Sequence, residues 1–112
     1  MIRTGDEYRA SIRDGRNIWI NGEKVEDPTL HPQMKPIIDV RARIYDMQHQ
    51  VKTQSVMTYK DKGERHAIGL RFPHKPKDWQ DKREAVDLVM HEVGGVVTRV
   101  GDETIGEMWS LR

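Results

Sequence analysis

The chain contains no cysteine, which excludes disulfide staples and any thiolate-held cluster supplied by this segment, and fits a reducing compartment. It also has almost no net charge. The formal value is +1, with Lys and Arg interleaved among Asp and Glu, so the one-sided basic field that holds phosphate backbones is missing and no nucleic-acid partner is expected. Long apolar runs are absent too: no stretch approaches the ~20 residues of a membrane span. The opening Met1-Ile2-Arg3-Thr4-Gly5-Asp6 has no apolar h-region. The expected location is cytoplasmic, with no membrane contact.

Apolar side chains are themselves sparse. Hydrophobic residues make up 36% of the 112 and charged residues 33%, with a mean hydropathy of -0.80, so one modest core is feasible but thin for a free-standing globule. That balance favours a piece that leans on further protein. There is no internal repeat, low-complexity stretch or linker, so residues 1–112 read as one domain or one piece of a domain.

What is present reads as short helices and hairpins. Thr4-Gly5-Asp6-Glu7 has the spacing of a capping box and predicts a short helix with Tyr8 and Ile12 on its apolar stripe, stopped by Asp14-Gly15. In Asn17 to Val25, β-branched and aromatic residues flank Asn21-Gly22, a pair that tolerates the two positive φ angles of a type I′ hairpin turn. A lone hairpin is marginal in water, so Trp19 or the isoleucines Ile18 and Ile20 must pack on a neighbour. Asp27-Pro28 and His31-Pro32 are expected to keep the backbone extended. From Pro36 to about His49, Ile37, Val40, Ile44 and Met47 recur at helical spacing. Ser55 to Tyr59 and Ala67 to Phe72 read as two extended runs joined by the polar Lys60 to Arg65, a second hairpin. Asp78 is placed to cap a third helix running to about Val93, with Ala85, Val86, Val89, Met90 and Val93 on its apolar face and Trp79 near its start. Gly94-Gly95 ends it, and residues 96–112 look like a turn leading into another helix, with an apolar Met108-Trp109-Ser110-Leu111 cluster.

Few of these residues form a constellation with chemistry of its own. The five histidines, at 31, 49, 66, 74 and 91, include no i, i+4 pair and no HExxH context, so no metal site is expected. The acidic residues give no pair spaced for glycoside hydrolysis or a divalent-ion loop, and Gly94-Gly95 and Gly101 lack the GxGxxG spacing of a dinucleotide fingerprint. Arg99 stands apart, because its guanidinium follows the apolar turn Val93-Gly94-Gly95-Val96-Val97 and a permanent cation so placed needs an anion. That anion is either structural, from Asp102 or Glu103, or belongs to a substrate or cofactor.

Taken in order, Thr4-Gly5-Asp6-Glu7-Tyr8, Arg13-Asp14-Gly15-Arg16, Trp19-Ile20-Asn21-Gly22-Glu23-Lys24-Val25, His31-Pro32, Ile44-Tyr45-Asp46 and Val93-Gly94-Gly95-Val96-Val97-Thr98-Arg99 resemble the start of the 4-hydroxyphenylacetate 3-hydroxylase family. The resemblance covers almost the whole chain. It implies a mainly α fold with small β-hairpins, the N-terminal helical domain of an acyl-CoA-dehydrogenase-like protein several times longer. The middle and C-terminal catalytic domains would lie outside residues 1–112, leaving this piece alone inactive. It also implies an FAD-dependent monooxygenase that ortho-hydroxylates a phenol such as 4-hydroxyphenylacetate with O₂. Reduced FAD would come from a separate flavin reductase, and the complete protein would be a homo-oligomer. Most flavin contacts are expected elsewhere, so no cofactor-binding residue is assigned.

In the family an arginine after the Gly-rich turn and a tyrosine four residues later surround the phenol oxygen. Arg99 matches the arginine, which implies a role in stabilising the phenolate. The second position is Glu103, a departure that leaves the phenol contacts there in question, since a carboxylate beside Arg99 competes for its charge. Arg99 and Glu103 are therefore the expected substrate-binding positions. Two rivals stand beside this reading: the 4-hydroxybutyryl-CoA dehydratase branch of the same superfamily, and a helical interaction module without catalysis.

Overall fold

The computed structural model describes residues 2–95. The chain divides into two compact units, Arg3–Asp46 and a second formed by Met1–Ile2 with Met47–Arg112.

In the first unit, helix α1 (Gly5–Ser11) begins at the expected capping box. The Glu7 N–H donates to Thr4 Oγ1 at 3.2 Å, and the Thr4 N–H donates to Glu7 Oε2 at 2.7 Å. The helix stops earlier than Asp14-Gly15. The Ser11 hydroxyl donates to the Tyr8 carbonyl at 2.7 Å, the kind of local side-chain bond that competes with helix continuation. Asp14 is taken instead by Arg16, at 2.8 Å from Nε and 2.5 Å from Nη2.

Strands β1 (Ile18–Ile20) and β2 (Glu23–Val25) pair antiparallel, with Ile18 opposite Val25, Trp19 opposite Lys24 and Ile20 opposite Glu23. Asn21 and Gly22 hold φ of 51° and 81°, the two left-handed residues of the expected tight turn. Because side chains alternate, Ile18, Ile20 and Val25 share one face, and Val25 is buried there. Trp19 lies on the other face, 63% exposed, so the aliphatic face does the packing. The two X-Pro pairs do not form an extended linker. Leu30 and His31 N–H groups return to the Asp27 carbonyl, and those of Met34 and Lys35 to the His31 carbonyl, because proline pre-sets the φ of a turn's second residue. Asp27 braces the first turn by accepting from the Thr29 N–H at 2.8 Å and from Arg13 Nε at 2.9 Å.

Helix α2 (Lys35–Met47) buries Ile38, Ala42, Ile44 and Met47, while Ile37 is 72% exposed, so the apolar face is rotated from the Ile37–Val40 stripe. The cause is α1, which lies antiparallel along α2. The Gly5 N–H donates to Asp46 Oδ1 at 2.7 Å, the Tyr8 and Tyr45 rings stack at 5.1 Å, and Arg9 pairs with Asp39 at 3.0 Å. Lys35 and then Arg9 hold the Asp39 carboxyl below the usual range.

The second unit holds helix α3 (Gln54–Met57), strands β3 (Thr58–Asp61) and β4 (Glu64–Ala67), a 3₁₀ turn (Ile68–Leu70) and helix α4 (Pro76–Glu92). A second hairpin is present, but its strands are not the apolar runs. Lys62 and Gly63 adopt φ of 48° and 85°, so the turn is a two-residue one at the centre of the charged segment. Lys60 therefore faces Arg65 and Asp61 faces Glu64 across the ladder. The apolar flanks coil into α3 and the 3₁₀ turn, where Met57 and Ile68 are buried with Met47, Ala85 and Val89.

Helix α4 starts at Pro76, two residues before the expected cap, and Asp78 acts from inside the first turn. It ends as expected at Gly94-Gly95, with φ of 70° and 79°. The Gly95 N–H reaches the Met90 carbonyl at 2.8 Å. The expected turn and helix of residues 96–112 lie outside the described residues. Within those described, the fold is mainly α with two small hairpins.

Candidate functional site

The charged residues of α4 form two different environments at its two ends. At the start, Asp78 is buried and accepts from the His74 N–H at 2.9 Å and the Lys75 N–H at 3.2 Å through Oδ2, while Oδ1 pairs with Arg71 at 2.8 Å. The His74 amide above all, then Lys75 and Arg71, keep this carboxyl below the ordinary range. Arg71 also reaches Asp81 at 3.0 Å and lies 5.8 Å over the Tyr59 ring. Burial, with Asp61 nearby, raises the Tyr59 hydroxyl above its ordinary value. Lys82 is buried as well, donating to the Gly69 carbonyl at 3.1 Å, with its ammonium 5.8 Å over Trp79.

This cluster pins the 68–75 connection to α4. Asp78 Oδ2 accepts from two amides, while Oδ1 is held by the Arg71 ion pair without a hydrogen bond of its own. Sequence reasoning missed Asp78 and Lys82 as buried residues. The signal was their spacing: 78, 82, 85 and 89 make one helical stripe, so two charges sit on the same face as Ala85 and Val89.

At the other end of α4, a cleft of about 430 Å³ borders the glycine turn, lined among the described residues by Asp87, Met90, His91, Gly94 and Gly95. Four residues further along the chain is Arg99. Arg99 and Glu103, the expected substrate-binding positions, lie outside the described residues, as does Asp102.

Backbone amides at two described helix starts already have partners: those of His74 and Lys75, just ahead of α4, donate to Asp78, and that of Lys35, the first residue of α2, donates to the His31 carbonyl. Among the described residues no group of three or more His, Asp and Glu side chains is placed to hold a metal ion. No described helix is long and apolar enough to cross a membrane.

Comparison with known proteins gives this geometry a context. The sequence is 36% identical over 103 residues to the 4-hydroxyphenylacetate 3-monooxygenase oxygenase component of Thermus thermophilus, covering 91% of this chain and 21% of that protein. It is 35% identical over 96 residues to the 2,4,6-trichlorophenol monooxygenase of Cupriavidus pinatubonensis, covering 85% and 19%. The crystal structure of the oxygenase component of 4-hydroxyphenylacetate 3-monooxygenase complexed with FAD matches with a TM-score of 0.75 at 36% identity, over 80% of this chain and 19% of that one. An archaeal 4-hydroxybutyryl-CoA dehydratase from N. maritimus matches with a TM-score of 0.69 at 24% identity, a likeness of fold alone. The chain thus spans about a fifth of the length of the curated relatives it matches. The family model for the 4-hydroxyphenylacetate 3-hydroxylase N terminal matches residues 4–112, nearly the whole chain, and the relatives agree with it in sequence and fold. This chain belongs to the 4-hydroxyphenylacetate 3-hydroxylase family, as its N-terminal region.

Proposed function

We propose that residues 1–112 form the N-terminal domain of the oxygenase component of a two-component, FAD-dependent monooxygenase that hydroxylates a phenol ortho to its hydroxyl. The supporting observation is that relatives matched along most of this chain are monooxygenases of 4-hydroxyphenylacetate and 2,4,6-trichlorophenol. The 24% likeness to the dehydratase concerns fold alone and does not favour that branch. In this reading one atom of O₂ enters the ring and the other leaves as water, with two electrons from FAD reduced by a separate reductase. The complete protein is a cytoplasmic homo-oligomer. Its flavin contacts lie in other domains, in keeping with the occupied helix starts of α2 and α4.

The role of this domain in the reaction is to carry Arg99 to the phenol oxygen. A guanidinium there favours the phenolate, whose ring is the more electron-rich and so the better acceptor of an electrophilic oxygen atom. Glu103 stands at the sequence position where the family has a tyrosine, and its carboxylate competes with the phenolate for the charge of Arg99. Losing a charge-assisted contact of this kind costs about 2 to 4 kcal/mol, or roughly thirty- to a thousandfold in rate.

The test is Arg99→Ala and Arg99→Lys in the complete enzyme, since lysine keeps the charge but loses the planar fork. Both variants should stay folded, while product formed per O₂ consumed falls and peroxide release rises. Wild-type coupling in Arg99→Ala would remove this residue from the site. A lower melting temperature with coupling preserved would make Arg99 the partner of Asp102 or Glu103.

A further inference from the structure

Three polar groups around one cleft of the second unit lack the protein partner that their chemistry calls for. The cleft holds about 420 Å³ and is lined among the described residues by Ile2, Gln48, His49, Gln54, Glu64 and Arg65, all within the unit formed by Met1–Ile2 with Met47–Arg112. Its volume is that of a small-molecule site.

The first group is the Gln48 amide. Gln48 is 7% exposed, and its Oε1 is buried with no hydrogen-bond donor. Buried amide oxygens are nearly always paired, because a bare one forfeits its hydration without return. The turn that carries Gln48 is fixed: Thr53 Oγ1 donates to the Met47 carbonyl at 2.5 Å, and the Thr53 and Gln54 N–H groups return to the Gln50 carbonyl at 3.1 and 2.8 Å. The residue therefore stays in place, and its soft terminal torsion is what can turn Oε1 toward a donor that enters the cleft.

The second group is the half-buried Arg65 of β4. Its Nη1 donates to Thr58 Oγ1 at 2.8 Å, and that hydroxyl donates to the Gln54 carbonyl at 2.5 Å. This relay orients the guanidinium but brings no negative charge, and no carboxylate among the described residues pairs with it. Across the ladder stands Lys60, a second cation. The third group is the exposed Glu64, which no described cation pairs with and which faces Asp61 across the ladder. Like charges placed directly opposite are destabilising, so the hairpin carries two such pairs that an anion at Arg65 and a cation at Glu64 would relieve.

We propose that this cleft binds a small zwitterion of the amino-acid class. Arg65 takes the carboxylate as a fork of donors, and the ammonium, with three donors of its own, serves both Gln48 Oε1 and Glu64. Ile2 lies on the wall for an apolar side chain. A plain anion would answer Arg65 alone, and a plain amine would leave Arg65 without its counter-charge. The site stands independently of the reaction proposed above.

The experiment titrates the complete protein with L-leucine by calorimetry and reads the melting temperature alongside. Two analogues keep its side chain and each lacks one charge: 4-methylpentanoate has no ammonium, and 3-methylbutylamine has no carboxylate. L-leucine should bind and raise the melting temperature, and either analogue should bind about tenfold more weakly or worse. Gln48→Met keeps the volume and removes the bare oxygen, so it should melt no lower than the wild type yet weaken L-leucine by about tenfold or more. Arg65→Gln should weaken L-leucine and 4-methylpentanoate but not 3-methylbutylamine, and Glu64→Gln should weaken L-leucine and 3-methylbutylamine but not 4-methylpentanoate. Absence of L-leucine binding overturns the proposal. Equal affinity for L-leucine and 4-methylpentanoate overturns it too, by reducing the cleft to a site for plain anions. A Gln48→Met protein that melts lower and binds L-leucine as the wild type does would show that Oε1 already has a partner in the complete protein, which also overturns it.

Discussion

Gly5 is the position where the smallest change should have the largest structural effect. It sits in the first turn of α1, where alanine would ordinarily be favoured by about 0.5–1 kcal/mol. Packing opposes that gain. A Cβ at Gly5 would lie 2.6 Å and 2.9 Å from the Asp46 carboxylate oxygens and 2.7 Å from the Ala42 carbonyl oxygen. The Asp46 side chain can rotate away, but doing so breaks its 2.7 Å bond to the Gly5 N–H. The Ala42 carbonyl belongs to the α2 backbone and yields only if the helices separate toward the 3.4 Å of ordinary contact. Overpacking of this kind costs about 1–3 kcal/mol, and the strained hydrogen bond to a charged acceptor adds about 1.5–3 kcal/mol if it is lost. With that bond lost the cost exceeds the propensity gain, so Gly5→Ala should be destabilising by about 1.5–5.5 kcal/mol, a fall of ~4–8 °C in melting temperature for each kcal/mol. Thermal melts of Gly5→Ala, Asp46→Ala and the double variant separate the contributions. The double variant should be more stable than the sum of the singles, because Asp46→Ala removes two of the three clashing atoms. A Gly5→Ala protein as stable as wild type, or strict additivity in the cycle, would refute the close-approach reasoning.

The remaining predictions concern the second unit. Asp78 has a folded-state pKa below its ordinary value, set first by the His74 amide, so its stabilising contribution is present above the unfolded value of ~3.9 and lost as pH falls through the folded one. Asp78→Asn should therefore flatten the acid limb of a melting-temperature profile below about pH 4. An unchanged limb would mean that other carboxylates carry it. At the second hairpin, Lys62 occupies a left-handed position that asparagine tolerates better, so Lys62→Asn should stabilise by up to about 1 kcal/mol. Urea denaturation with an unchanged slope checks this, and a lower midpoint would argue against the tight turn.

Signals that act over a few residues were legible in the sequence. The reciprocal cap of Thr4 and Glu7, the turn at Asn21-Gly22 and the stop at Gly94-Gly95 each depend on one backbone conformation and the side chains beside it. The family was legible for a related reason: short blocks in a fixed order persist where each carries its own local geometry. Arg99 and Glu103 came from that resemblance, and lie outside the described residues.

Where the sequence reading and the structure part, two segments compete for one surface. Helical spacing proposed Ile37 and Val40 as the buried edge of α2, but α1 brings Gly5, Tyr8 and Arg9 against Ala42, Tyr45, Asp46 and Asp39, and leaves Ile37 exposed. Apolar content proposed Ser55–Tyr59 and Ala67–Phe72 as strands, but the positive φ angles of Lys62 and Gly63 centre the hairpin on charged residues, and the apolar flanks turn inward. Capping chemistry proposed Asp78 as the N-cap of the third helix and said nothing of Lys82, yet both are buried, because the connection ahead of α4 presents two amides, Arg71 and a carbonyl to them. The sequence by itself determined the Thr4–Glu7 cap, the Asn21-Gly22 turn, the Gly94-Gly95 stop and the family, since these are fixed by neighbours along the chain. Only the tertiary structure decided which helix face is covered and which charges are buried, since both depend on partners distant in sequence.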